Sequence, residues 1–402
     1  MSFLLTRLPP FAADYSGVAS ALHDLGGLVV IHDASGCTGS YTGYDEPRWF
    51  SGRSSVFCSG LREFDAIMGN DQKLLDNILR ATREADHGFV AVVASPVPML
   101  VGFDVDGFAN LVEHETGLPA FGFATTGLGL YDKGLSAAFL AVAKRFVAEP
   151  EEPPAGANIL GASPLDDIDG ATLVRLRRVL DRADLPLVSI WGQESGLDAL
   201  GRAAGAAVNL VVAAAALPLA RFMERRWGIP FVTGLPLDEH DEAALAVVLA
   251  RAAAGEPSEP APAPGLVPAP DDAGAGRQTV ALVGEQIHMG AIRAALRRRR
   301  DGARIRVASF FAFDETLAEP GDCRLAHEEH AAAWLAAEDA DLVVGDPLLR
   351  VLLPDAAPTG FVAVPHRAVS ARLDHTSGDR CAGDPADAIR GAIDDILGRP
   401  RR

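Results

Sequence analysis

The chain has 402 residues, too many for a single hydrophobic core, so two or three domains are expected. Apolar residues make up 49% and charged residues 22%, the balance of a soluble globular protein. The formal net charge of −18 argues against a nucleic-acid binder, because phosphate contacts need a basic face, and equally against an anionic membrane surface.

Residues 1–20 read as an arm with Pro9-Pro10, and His23 to Gly27 as the end of a short helix. The arm lacks a charged segment followed by a long apolar core, so no signal peptide is expected. Leu28 to Ile31 and Ser54 to Phe57 are short strands, each followed by glycine-bearing sequence with a cysteine: Gly36-Cys37 after the first and Cys58 after the second. A helix over 71–85 follows, then a buried strand, Phe89 to Ala94, that breaks at Ser95-Pro96. Helix 104–117, strand 119–125 and helix 135–147 complete the first unit. Strand and helix alternating over short loops imply a parallel sheet.

The acidic, proline-rich break Glu149 to Pro154 opens a second unit with strands at 157–161, 187–191, 208–213 and 231–232. The apolar stretch Ala206 to Ala220 is interrupted by Asn209 and Pro218 and is shorter than the ~20 residues of a membrane span, so it reads as a strand leading into a helix. Residues 254–276, rich in Pro and Ala, read as a linker. A third unit has strands at 279–283, 305–308, 341–344 and 361–364 and a closing helix, Pro385 to Leu397. The expected architecture is α/β, with three Rossmann-like, doubly wound parallel-sheet domains: 1–150, 151–253 and, after the linker, 277–402.

Generic ligand motifs are missing. There is no Walker A loop, no G-x-G-x-x-G after a strand, no C-x-x-C and no H-E-x-x-H. His327-Glu328-Glu329-His330 has the wrong spacing for the last and reads as a solvated helix face, as does the run Arg297 to Arg300. Four cysteines in this length do not make a disulfide framework, which points to a reducing cytoplasm. Two of them, Cys37 and Cys58, follow the carboxyl ends of apolar runs, where ligands sit in α/β proteins, and are the candidate metal ligands; the alternative is a pair of buried free thiols. Cys323 and Cys381 read as incidental.

These segments resemble the nitrogenase component 1 type oxidoreductases. His32 to Cys37 fits the family's H-x-x-x-G-C motif, and Cys58-Ser59-Gly60-Leu61-Arg62-Glu63 with Asp65 and Met68-Gly69 fits its second. A third motif is matched in frame by Ser95 to Asp104, with Ser95 where the family has cysteine. The resemblance implies an iron–sulfur cluster held by thiolates from two subunits. A [4Fe–4S] cluster takes four, and Cys37 and Cys58 from each of two chains give 2 + 2 = 4. It also implies a homodimer, or a heterodimer with a related subunit. Electrons would come from a separate iron protein, a P-loop ATPase, so ATP binds only on that partner. Ser95 is a candidate oxygen ligand or a turn residue. His32 is a structural histidine or a proton-relay neighbour, and His288 is a proton donor or metallocofactor ligand at a central cleft or else a surface histidine. The implied function is an ATP-dependent reductase of a multiply bonded or tetrapyrrole-like substrate. A non-catalytic scaffold for metallocofactor assembly is the alternative, and a cluster-free α/β binding protein the third. Nitrogen reduction is not expected of a chain short for the family's nitrogenase subunits.

Overall fold

The computed structural model describes residues 5–256, 278–298, 303–353, 360–370 and 391. Most of the linker, Arg299, Arg300, Cys381 and most of the closing helix therefore lie outside the described residues.

The apolar runs become strands of three parallel sheets. The first holds β1 (Leu28–Ile31), β2 (Ser55–Cys58), β3 (Val90–Val93) and β4 (Ala120–Phe123) in the order β2-β1-β3-β4. The second repeats that order with β5 (Ala157–Leu160), β6 (Leu187–Trp191), β7 (Val208–Val211) and β8 (Phe231–Thr233), as β6-β5-β7-β8. The third is built from β9 (Thr279–Val283), β10 (Arg304–Ser309), β11 (Cys323–Arg324), β12 (Leu342–Gly345) and β13 (Gly360–Ala363), in the order β11-β10-β9-β12-β13. Every strand pair among the described strands is parallel, as expected when helices make the return crossings. In each sheet the chain order reverses beside the first strand, and such a switch point opens a crevice at the carboxyl ends.

The central strands are apolar on both faces because helices cover both: β1, β3, β5, β7 and β12 are buried along their length. One apolar core runs without a break through all three sheets, from Leu8 to Val369. Two smaller clusters line the outer faces of the first and third sheets. The stretch Ala206 to Ala220 is β7, a 3₁₀ turn and the start of the helix Leu217–Trp227, as its interruptions required. Among the described residues no helix is long and apolar enough to cross a membrane.

Two charged stretches depart from the sequence reading. Glu328 is buried rather than solvated, because its carboxylate accepts from the backbone N–H groups of Thr6, Arg7 and Leu8 at 2.6, 3.0 and 3.0 Å. His327 caps the same helix, its Nδ1 accepting from the His330 N–H at 3.1 Å. Arg297 pairs with Glu319 at 2.5 Å and Arg298 with Asp241 at 2.7 Å, so these two guanidiniums are salt-bridged and mostly covered, not a solvated face.

Candidate functional site

His32, Cys37, Cys58 and Ser95 all lie at the carboxyl edge of β1, β2 and β3. Cys58 ends β2 and is in register with Ile31 at the end of β1. Cys37 is in the first turn of the short helix Gly36–Ser40. Asp33 touches both thiols. Its main-chain oxygen accepts from Cys58 Sγ at 3.4 Å, and its carboxylate lies against Cys37. That carboxylate accepts from the Ser35 and Thr38 N–H groups at 2.9 and 3.1 Å, which fixes the loop carrying Cys37. Burial first, then the Asp33 charge, pushes the Cys37 thiol up to about 11. Tyr15 hydrogen-bonds the same thiol and is itself raised, chiefly by burial.

His32 is held by the same loop. Its Nδ1 is 2.8 Å from Ser59 Oγ, and its ring lies 4.6 Å from that of Phe103. Burial lowers it to about 4, with Asp33 opposing, so it is neutral at pH 7. Ser95 is fully buried, and its hydroxyl donates to the His32 carbonyl at 2.8 Å. It ties β3 to β1, and any ligand role requires it to leave that bond.

Two free thiols on one sheet edge are half of the four that a thiolate-held [4Fe–4S] cluster takes. The Gly60 N–H points at Cys58 Sγ at 3.4 Å, the kind of contact that stabilises a ligating sulfur. A Cβ placed on Gly36, Gly39 or Gly60 would meet nothing within 4 Å, so these glycines of the thiol loops border open space. Among the described residues no group of three or more His, Cys, Asp or Glu could hold a metal ion, so one chain supplies no complete site there. The short helices Glu63–Met68 and Pro96–Leu100, which follow β2 and β3, and the loop after β4 also expose large apolar side chains. Phe64, Ile67 and Met68 are 71%, 73% and 65% exposed, and Leu100 and Leu128 are each 85% exposed.

His288 belongs to a second group, where the carboxyl ends of strands from the second and third sheets meet the helix Tyr131–Phe146. Tyr131 donates its hydroxyl hydrogen to Asp166 Oδ1, in the turn after β5. His366, just beyond β13, lies with Nε2 3.5 Å from that hydroxyl and 3.8 Å from Asp166 Oδ1. Its ring stacks on Phe311 at 4.8 Å, and its backbone N–H donates to the Asp346 carboxylate just after β12 at 2.8 Å. Glu285, after β9, accepts from the N–H groups of Ala214 and His288, each at 2.8 Å. Burial lowers His288 to about 4; burial, with His288 nearby, lowers His366 to about 3. Asp166 and Glu285 are both raised, mainly by burial. Of this group the sequence points only to His288; Tyr131, Asp166, Glu285 and His366 are spread over 235 residues from first to last, and no local motif joins them.

A family model described as nitrogenase component 1 type oxidoreductase matches residues 13–346. The chain belongs to that family. The solved structure "Nitrogenase Cp1 at pH 6.5" superposes with a TM-score of 0.68 at 13% identity, covering 99% of this chain and 94% of that one, a likeness of fold. Among curated proteins, the nitrogenase iron-molybdenum cofactor biosynthesis protein NifE of Sinorhizobium fredii (strain NBRC 101917 / NGR234) is 30% identical over 184 residues, 44% of this chain and 36% of that protein. NifE of Rhodobacter capsulatus is 27% identical over 243 residues, 57% of this chain and 50% of that protein. The matched regions thus span half or less of these relatives' length.

Proposed function

We propose that this chain is one subunit of a nitrogenase-like, iron–sulfur-dependent oxidoreductase, in which Cys37 and Cys58 face the same pair of a second subunit. Four thiolates then hold one [4Fe–4S] cluster, which supplies one-electron transfer when bound. The observation that carries this reading is the coincidence of two thiols and an exposed apolar rim on one edge of the first sheet. Large apolar side chains gathered in this way mark an interface more often than a free surface. The occupant is a second copy or a related subunit, since it must bring the missing thiols.

In this reading Asp33 fixes the loop geometry of both thiols, while neutral His32, bonded to Ser59 after β2, and buried Ser95, which ties β3 to β1, act on the site by position. Electrons come from a separate P-loop iron protein that carries the ATP, in the cytoplasm. The substrate binds at the junction beside His288, between units 1–150, 151–253 and 277–402. A second reading is favoured by the curated relatives, whose names describe cofactor biosynthesis: a scaffold would use the same interfacial thiols without turning over a substrate.

Anaerobic purification with iron and sulfide analysis tests the shared core. We expect four irons per dimer, lost in Cys37→Ala and in Cys58→Ala, with the circular dichroism of both variants unchanged. Iron retained in both variants would falsify the ligand assignment. Turnover of a reducible substrate with iron protein, ATP and dithionite separates reductase from scaffold.

A further inference from the structure

We propose that Asp166 is kept as a neutral carboxylic acid, held beside Tyr131 and His366, and that it delivers its proton to the species reduced where the three units meet. The inference rests on the reductase reading above and extends it to a residue that the sequence did not single out.

Asp166 is 3% exposed and sits in the turn Pro164–Asp166, just past the carboxyl end of β5. Oδ1 accepts from Tyr131, while Oδ2 is buried with no hydrogen-bond partner among the described residues. An ionised carboxylate with a bare, buried oxygen is costly, and a protonated one is far less so. The groups that face it do not supply the missing positive charge. Asp132 beside Tyr131, Glu285 after β9 and the adjacent Asp167 are all carboxylates that oppose its ionisation. Among the described residues the basic group within 4 Å of it is His366, at 3.8 Å. That ring is neutral at pH 7, as is His288, so neither holds an imidazolium proton to give. Like-charged carboxylates crowded into one buried site cannot all ionise, which leaves an acid as the proton store.

The step balances with a small alkyne as probe. Reduction to the alkene takes two electrons, from dithionite-reduced iron protein, and two protons. One proton leaves Asp166 Oδ2 for a new C–H bond, and the carboxylate so formed keeps the Tyr131 O–H bond. Water supplies the second proton and restores the acid.

Infrared spectroscopy of the purified protein at pH 7, in H₂O and D₂O, tests the protonation state without any cluster or turnover. We expect a deuterium-sensitive carboxylic-acid carbonyl band, part of which disappears in Asp166→Asn. That variant keeps the side-chain shape and the acceptor for Tyr131, and Glu285→Gln should leave that component in place. A spectrum unchanged by Asp166→Asn overturns the proposal. The second arm uses the loaded dimer with iron protein, ATP and acetylene. Asp166→Asn should lower ethylene formation at least tenfold while the iron–sulfur electron paramagnetic resonance signal still forms at the wild-type rate, and Asp166→Glu should restore part of the loss. Wild-type ethylene formation in Asp166→Asn would make the acid merely structural and overturn the donor role. A wild-type dimer that is reduced by the iron protein yet forms no ethylene removes the reductase reading and the donor role with it, while the infrared band still decides the protonation state.

Discussion

At the scale of single residues, burial decides what each ionisable group does. Glu328 is an acid with four donors on it: three backbone N–H groups and the Thr6 hydroxyl. Burial opposes its ionisation, but these bonds win and hold it at about 2. Its contribution is complete above the ordinary glutamate range and is lost as pH falls toward 2. Glu328→Ala should cost on the order of 2–4 kcal/mol, because it strands the donors of the arm. Urea denaturation at pH 7 measures this, and a loss below ~0.5 kcal/mol would mean that the arm is held elsewhere. His366 has the opposite chemistry and the same sign of pH dependence. Its folded-state value lies below the unfolded one, so as pH falls below about 6.5 the unfolded chain takes up a proton that the native ring refuses until about 3. Comparing wild type with His366→Gln cancels the other titrating groups. Wild type should lose stability relative to the variant as pH drops from 6.5 toward 4, at up to ~1.4 kcal/mol per pH unit. A pH-independent difference would show that the ring is not held neutral.

At the scale of elements, the strands were legible because each central strand is a run of apolar residues closed by a turn, and burial on both faces makes that pattern strong. The two-residue β11 was not, since Cys323-Arg324 gains its strand character only from pairing with β10. The helix Glu239–Ala253 also went unread. Its buried face mixes Glu242 with Leu245, Leu249 and small alanines, so its apolar stripe is weak. The thiol edge could be located from sequence because its cysteines and glycines are local, whereas the acid group at the junction is assembled by tertiary contacts alone. The two charged runs misled for a related reason: charge in sequence does not say whether a partner covers it. One element contact fixes the site more than the others. Helix Asp14–Leu22 crosses helix Tyr131–Phe146 with glycine on each side; a Cβ on Gly17 would come within 1.9 Å of the Tyr131 oxygen, and one on Gly134 within 1.9 Å of the Asp14 oxygen. Both clashes are with backbone, so neither can be relieved by a rotamer. Gly17→Ala or Gly134→Ala should destabilise by at least ~2–3 kcal/mol by separating the helices. Because Tyr131 opens one of them, the carbonyl band of Asp166 should shift in any variant that still folds. A stable Gly134→Ala protein with an unaltered melting curve would contradict this packing.

At the scale of the whole molecule, the three sheets are not independent beads. Their core is continuous, and the N-terminal arm runs from the first sheet to the third: Phe11 packs edge-on to Phe310 at 5.3 Å, and the Ala12 N–H donates to Ala368 at 2.7 Å. In the proposed assembly the exposed apolar side chains of the thiol edge are the contact surface. That gives a test free of metal chemistry. Phe64 and Leu100 stand on separate short helices of the thiol edge, Glu63–Met68 and Pro96–Leu100, whereas Val247, 60% exposed, lies on the helix Glu239–Ala253. Phe64→Glu with Leu100→Glu puts two charges where the facing surface must exclude water, and burying an unpaired charge costs several kcal/mol. If the proposed dimer forms on this edge, sedimentation analysis should find monomer for the double variant and dimer for the unaltered chain; Val247→Glu should leave the dimer intact. The monomeric variant should also lose its iron while keeping its melting temperature, because it still carries both Cys37 and Cys58 but not their counterparts. A dimer that survives the double substitution would put the contact on another face, and the sum of two thiols from each chain would then fail with it.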